Sequence, residues 1–292
     1  MRVFITGGTG FIGQHTVRRL HRDGHDLLLF VRKRSDVFSN LDRISFIEGD
    51  LGDIATHKER IASFQPDALV HLAWQGIPDY SIENCKKNLA MSLDLFSVVS
   101  EIGCKICIAT GSCWEYGRDH GELREDMDPV DKNVFCATKT SIFRVGRQIA
   151  NERGMRFVWL RLFYVYGPGQ RSGSVIPSIL HAIRAKGSPA IQNPHNRNDF
   201  VFVEDVADAV SKAIQEEVHG VFNIGSGCAT SLTAVMEIIS NACGSIHQKK
   251  ENGSGALDFW ADISKARREL KWQPRVDMTE GIHWMIQAEM QG

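Results

Sequence analysis

The sequence predicts an α/β fold: a doubly wound parallel sheet that carries a small C-terminal lobe. Three observations predict it. Gly7, Gly10 and Gly13 stand between a strand-like run and a helix-like one at the start of the chain. Strand-like and helix-like stretches then alternate through the first half, the order of a parallel sheet covered by helices on both faces. After Gly167-Pro168-Gly169 that alternation gives way to loops containing glycine and proline.

Taken in order, the strand candidates are 2–6, 26–31, 44–47, 68–72, 105–110 and 156–162, short apolar runs bounded by turn residues. Helical stretches lie between them near 11–23, 55–64, 80–102 and 134–153. The first shows the reason most plainly: Phe11, Ile12, Val17 and Leu20 fall on one side, and Gln14, Arg18, Arg19 and Arg22 on the other. Beyond residue 168 the sequence offers a helix near 175–186 and a final helical run around 263–272. These later pieces are too short for a core of their own. Residues 1–168 are therefore read as one nucleotide-binding domain, completed by strand and helix segments returning from the second half. Residues 169–292 are read as mainly a lobe closing over the carboxyl ends of the strands, where ligands bind in such sheets.

Composition narrows the partners. In 292 residues, 43% are apolar and the formal net charge is -1, an ordinary globular balance without the basic excess that nucleic acid demands. No apolar run reaches bilayer length, so no membrane partner is expected. The chain enters a strand at once, leaving no room for a signal peptide, and its seven scattered cysteines do not resemble a disulfide framework. A reducing, cytoplasmic setting is the expectation. Cys104 and Cys107 form a C-x-x-C inside an apolar strand-like run without a second pair, and read as buried thiols. No metal site is expected.

Glycines at the first strand–helix turn let the chain bend tightly and let backbone N–H groups approach a pyrophosphate, which then sits on the positive end of the helix. The spacing i, i+3, i+6 resembles the extended branch of the short-chain dehydrogenase/reductase superfamily, the NAD-dependent epimerase/dehydratase family acting on nucleotide sugars. The resemblance covers roughly residues 1–275. It implies a Rossmann-type sheet with an NAD(P) site at Gly7, Thr9, Gly10, Phe11, Ile12 and Gly13. It also implies that Asp50 and Leu51, after the third strand, meet the adenine. Leu72, Ala73 and Trp74, in a His-x-Ala-like element, then lie beside the pyrophosphate.

The end of the second strand bears on which nicotinamide is bound. An NAD-selecting fold places an acid there for the ribose hydroxyls, whereas an arginine suits a 2′-phosphate. Val31 takes that position, and Arg32, Lys33 and Arg34 follow. The reading is NADP (NADPH) over NAD, the alternative being a solvated basic loop.

The fifth strand ends Ala109-Thr110-Gly111-Ser112-Cys113-Trp114-Glu115-Tyr116-Gly117. It is similar to the family's S-S-x-x-V-Y-G, which implies Thr110 beside the cofactor, and Ser112 (the family's catalytic hydroxyl) and Cys113 beside the substrate. Downstream the family carries Y-x-x-x-K, whose tyrosine moves a proton at the sugar oxygen. The lysine holds the nicotinamide ribose and lowers the tyrosine pKa. Here those positions are Phe135 and Lys139. The lysine is present and the phenol is not. Three readings stay open: a Tyr→Phe change that impairs turnover, another acid (Tyr164, Cys136 or a water), or binding without turnover.

Residues 161–170 resemble R-x-x-N-V-Y-G-P-G-Q, which implies Phe163 against the nicotinamide and Tyr164 in place of a common asparagine near the substrate. By the same likeness, Val175 packs beside the nucleotide base. Arg197 is the candidate for the substrate pyrophosphate, with a surface salt bridge as the alternative. The stretch Glu251 to Phe259 lacks a second arginine, so Arg171 is read as its partner in that grip. The closing segment 261–274 resembles a structural D-x-S-K-a-r-x-x-L-x-W-x-P helix. Family 4,6-dehydratases carry an Asp-Glu pair where Cys113 and Trp114 stand, so elimination of water is disfavoured. The expectation is an NADPH-dependent reductase of a keto group, at C4, on a nucleotide-linked deoxysugar. An epimerase with bound NAD(P) and a catalytically silent NADP-binding protein are the alternatives. Family likeness also implies a homodimer through helices near 80–102 and 134–153, although Leu89, Leu93, Phe96, Val145 and Ile149 could equally pack on their own sheet.

Overall fold

The computed structural model describes residues 1–187, 189, 191, 193–244 and 257–291. The first half runs β1 (Arg2–Thr6), α1 (Phe11–Arg22), β2 (Asp26–Val31), β3 (Ile44–Glu48), α2 (Lys58–Phe64), β4 (Ala68–His71), α3 (Ile82–Glu101), β5 (Ile106–Ser112), β6 (His120–Leu123), α4 (Val134–Glu152) and β7 (Arg156–Leu162). The second half adds β8 (Tyr164–Tyr166), α5 (Val175–Arg184), β9 (Arg197–Asn198), β10 (Phe200–Phe202), α6 (Val203–Gln215) and β11 (Gly220–Ile224). It closes with β12 (Thr230–Ser231), α7 (Leu232–Ala242), β13 (Asp258–Ala261), α8 (Ser264–Glu269) and α9 (Met278–Gln291).

Seven strands form one parallel sheet in the order β11-β7-β5-β4-β1-β2-β3. This is a Rossmann-like α/β fold. Its strands are apolar almost throughout because helices cover both faces, and alternate side chains feed two cores. Val3, Ile5 and Leu29 join one cluster with Val17 of α1; Phe4, Leu28 and Leu69 join the other with Leu95 and Phe96 of α3. The chain winds outward in opposite directions from β1 and β4, and their carboxyl ends, Thr6 and His71, lie in register. The reversal leaves a crevice at that point.

Several boundaries differ from expectation. Residues 51–57 form a 3-10 turn capped by Asp50 before α2 begins, and the last predicted helix contracts to Ser264–Glu269. Three elements were not foreseen as helix: α6, α7 and α9. Helix α6 returns to pack on α1, where Arg19 pairs with Asp208 and Ser211 Oγ donates to Asp23 Oδ2 at 2.6 Å. Strand β11 returns to pair with β7. The other two helices correct the view that the later pieces lack a core. Val235 and Ile239 of α7 and Ile282 and Met285 of α9 bury against Ile176, Ile179 and Leu180 of α5. Cys104 and Cys107 are buried free thiols whose pKa values burial raises. Among the described residues, no helix is long and apolar enough to cross a membrane.

Candidate active site

The crevice beside β1 is a cleft of about 430 Å³. Gly7, Thr9, Gly10, Phe11, Ile12, Gly13, Arg32, Asp50, Leu51, Leu72, Ala73 and Trp74 all line it. Its floor is built for close backbone approach. Gly7 has φ +76°, and a Cβ there would lie 2.6 Å from Ala73 N. A Cβ on Gly13 would fall 2.0 Å from Gly7 O, so helix and turn meet only through glycine. The first turn of α1 has no side-chain cap, and its N–H groups remain donors for an anion. Arg32 is exposed at the rim beyond the buried end of β2, while Arg34 stacks on Phe46 at 5.0 Å. Asp50 Oδ1 accepts from Gly52 N at 2.8 Å, which fixes the carboxylate at the cleft edge. These features fit a dinucleotide whose pyrophosphate rests on α1 and whose adenosine lies toward Arg32 and Asp50.

The cleft also has walls that the motifs did not reveal: Gln75, Ile77, Asn88 and Met91. Asn88 clamps the segment after β4, accepting from Gln75 N at 2.7 Å and donating to Gln75 O at 3.0 Å. His71 is fully enclosed between Thr6 Oγ1, at 2.7 Å, and Ser92 Oγ, at 3.1 Å. Burial, with the Lys139 charge nearby, lowers its pKa to about 3, so it stays neutral and orients the turn. Only contacts between segments distant in sequence could have identified Gln75, Ile77, Asn88 and Met91, whereas His71 heads the His-x-Ala-like element.

Next along the sheet, Ser112 ends β5 and caps a short turn, its Oγ accepting from Trp114 N at 3.2 Å. Glu115 lies beneath, without solvent exposure, and accepts from Ser112 N at 2.7 Å, Trp159 Nε1 at 3.1 Å and Arg161 Nε at 3.0 Å. The turn carrying Ser112 therefore stands on a buried ion pair. Asn133 starts α4 by accepting from Cys136 N, and one turn of helix sets Phe135 and Lys139 on one face.

Lys139 is buried and donates from Nζ to Thr110 O at 2.8 Å, with its ammonium 4.4 Å from the Trp74 ring centre. Burial pushes it down to about 8, against the raising effect of Glu115. The Phe135 ring sits in an aromatic box, with centroids 4.6 Å from Tyr80, 5.1 Å from Trp74 and 5.9 Å from Trp114.

Beside the box, a cavity of about 200 Å³ is lined by Cys113, Trp114, Asn133, Cys136, Tyr164 and Phe259 among others. Of the proposed alternative acids, the Cys136 thiol has its proton engaged, whereas Tyr164 is held only as an acceptor. Tyr164 Oη accepts from Trp114 Nε1 at 3.2 Å, and the Cys136 thiol donates to Trp114 O at 3.1 Å. Burial raises the pKa of both groups, and of Cys113.

The remaining substrate-side residues are dispersed. Arg171 is exposed, close enough to Tyr80 for its charge to act on that phenol. Val175 opens α5 on the surface. Arg197 pairs with Asp258 at 3.1 Å and donates to Ala229 O at 2.9 Å, so the salt bridge weighed as its alternative is formed. Phe163 is buried at the foot of the lobe, outside the lining of the cleft, with its ring 6.3 Å from Phe259. The stretch from Glu251 lies, as far as residue 256, outside the described residues.

Comparison with known proteins now adds to this geometry. A family model described as the NAD dependent epimerase/dehydratase family matches residues 3–225. A dTDP-4-dehydro-6-deoxyglucose reductase of Escherichia coli is 27% identical, the match covering 98% of this chain and 96% of the relative. UDP-glucose 4-epimerase of Thermotoga maritima, solved with UDP-glucose, superposes with a TM-score of 0.88 at 23% identity, over 100% of this chain and 99% of the other. UDP-glucuronic acid 4-epimerase of Bacillus cereus, solved with UDP-glucuronic acid and NAD, gives 0.86 at 21% identity, over 100% and 99%.

Proposed function

The chain belongs to the NAD dependent epimerase/dehydratase family, and from that premise we propose that it is an NADPH-dependent reductase of a keto group, at C4, on a nucleotide-linked deoxysugar. The observation that carries the reading is the cleft rim at the end of β2. Val31 offers no carboxylate to a ribose 2′-hydroxyl, and Arg32 follows it in the lining, exposed and without an ion pair among the described residues. An exchangeable NADPH suits net reduction better than a cofactor that is retained and recycled. Similarity to the reductase of Escherichia coli supports the same reaction class. Dehydration finds no support: Cys113 is buried beside Trp114, and the one carboxylate of that turn, Glu115, is held by Arg161.

When bound, the reduced nicotinamide supplies hydride to the keto carbon. The chain's own residues do the rest. The first turn of α1 holds the pyrophosphate, Lys139 presents a cation toward the ribose, and Ser112 offers a hydroxyl to the substrate oxygen. Arg171 supplies positive charge for the substrate diphosphate, while Arg197 is held by Asp258. The aromatic box excludes water and favours a deoxygenated sugar edge.

Calorimetric titration with NADPH and NADH tests the cofactor assignment. NADPH binds about 10-fold or more tightly, since a hydrogen bond between charged groups contributes about 1.5–3 kcal/mol, and Arg32→Ala removes the difference. Equal affinity, or a preference for NADH, favours the epimerase reading that the two structural relatives suggest.

A further inference from the structure

Phe135 leaves the substrate pocket without a phenol at the position where the family places one. The chain contains four tyrosines, and all lie within the described residues. Two donate their protons elsewhere, and the third, Tyr164, is held as an acceptor with no ring contact to Phe135 among the described residues. Tyr116 Oη donates to Asn223 Oδ1 at 2.6 Å in the core, and Tyr166 Oη donates to Asp277 O at 3.2 Å beneath the lobe. Tyr164 Oη accepts the indole N–H of Trp114 at 3.2 Å.

Tyr80 differs. It is half-buried, its ring is the closest aromatic partner of Phe135, and among the described residues its hydroxyl has no hydrogen-bond partner. The ring centroids of Tyr80 and Phe135 are 4.6 Å apart at an interplanar angle of 57°. A phenol ring against Phe135 therefore arises from the segment after β4 and not from α4.

The backbone holds Tyr80 firmly. It precedes Ser81, the N-cap of α3, whose Oγ accepts from Asn84 N. Ser81 N donates to Asp79 Oδ1 at 2.8 Å, and the Cys85 thiol donates to Tyr80 O at 3.6 Å. Arg171 stands close enough to act on the phenol electrostatically, opposing the effect of burial on it. Lys139, by contrast, faces Trp74 and Thr110 O and has no phenol beside it. Tyr80, with the Arg171 charge acting on it, offers a phenol and a cation outside the α4 pair, in which Lys139 is retained.

We propose that Tyr80 is the catalytic acid of this pocket, its Oη replacing the hydroxyl that Phe135 lacks. The proposal rests on the reductase reading. In the forward step the keto carbon accepts hydride from the reduced nicotinamide while the keto oxygen takes the proton from Tyr80 Oη. The C=O bond becomes an alcohol, the nicotinamide leaves oxidised, and the phenolate regains its proton from water.

The test compares the parent chain, Tyr80→Phe, Phe135→Tyr and the double variant on dTDP- and UDP-linked 4-keto-6-deoxyglucose with NADPH. Tyr80→Phe lowers kcat by about 10²–10⁴-fold, with KM and NADPH affinity unchanged. Phe135→Tyr restores turnover in the Tyr80→Phe background and adds little to the parent. A second readout needs no turnover: tetranitromethane nitrates Tyr80 ahead of the other three tyrosines in the cofactor-free protein, and UDP slows that reaction. Tyr80→Phe turning over like the parent overturns the assignment and leaves the reductase reading standing, as does a rise of about 10²-fold in Phe135→Tyr alone. Nitration of Tyr80 indifferent to UDP also overturns it. A parent inert toward every keto sugar overturns the reductase reading, and the acid role with it.

Discussion

Lys139 carries two opposite dependences on pH. Its ammonium is enclosed by Trp74, Trp159 and Thr110 O, and burial lowers its pKa from 10.5 to about 8. Between those two values the unfolded chain holds a proton that the folded chain has released, so unfolding takes up protons there. Stability from this group therefore rises as pH climbs from about 8 to about 10.5. Cofactor binding runs the other way, because the cation offered to the ribose vanishes over the same range. Fluorescence titration is expected to show NADPH affinity falling above about pH 8, and Lys139→Met is expected to be weak at pH 7 without that fall. A flat profile in the parent sinks the role given to Lys139. Phe135 and Lys139 were legible from the resemblance to the family's Y-x-x-x-K, whose i and i+4 positions share a helix face. Tyr80 was not, because it meets the Phe135 ring from a different element and no local pattern marks it.

At the scale of the element, the entry to α1 is the closest-packed part of the proposed cofactor site. Gly10 supplies an extended N-cap without a side chain, and Gly13 touches the Gly7 carbonyl. Gly13→Ala must push the first turn of α1 away from the turn after β1. Such overpacking costs about 1–3 kcal/mol, read as a lowered denaturation midpoint in urea. NADPH affinity falls with it, because the N–H donors are displaced. A variant with parental stability and affinity would contradict the close approach described here. Helix α1 was readable because its amphipathic stripe and its glycines agree. The returning helix α6 was not: its burial depends on α1 being there to receive Val206, Ala209 and Val210. The segments α7 and α9 escaped for a similar reason, each hiding an apolar face that has meaning only against α5.

For the whole molecule, a homodimer through α3 and α4 is the expected assembly. The two helices lie side by side on the sheet. Phe96 is spent on the core, fitting against Gly146 and Phe157, and Leu89, Leu93 and Ile149 are half-buried there. Val145 remains exposed at 42% and marks the open face. Light scattering at micromolar protein is expected to give twice the chain mass, and Val145→Asp to shift it toward one. A parent that scatters as a monomer refutes the interface.

The amino-acid sequence by itself determined the alternating α/β order, the glycine cradle at β1 and α1, the basic rim after Val31 and the missing phenol at Phe135. Each is a local signal: a period, a spacing, or one residue type where another is usual. Tertiary structure alone decided which second-half residues complete the sheet, Gly220–Ile224 pairing with β7, and that Glu115 and Arg161 underpin Ser112. It also decided that the Tyr80 ring lies against Phe135. The reason is physical. Burial, ion pairing and the approach of one ring to another depend on distances between segments far apart in the chain, and those distances exist only once the sheet has brought its strand ends together.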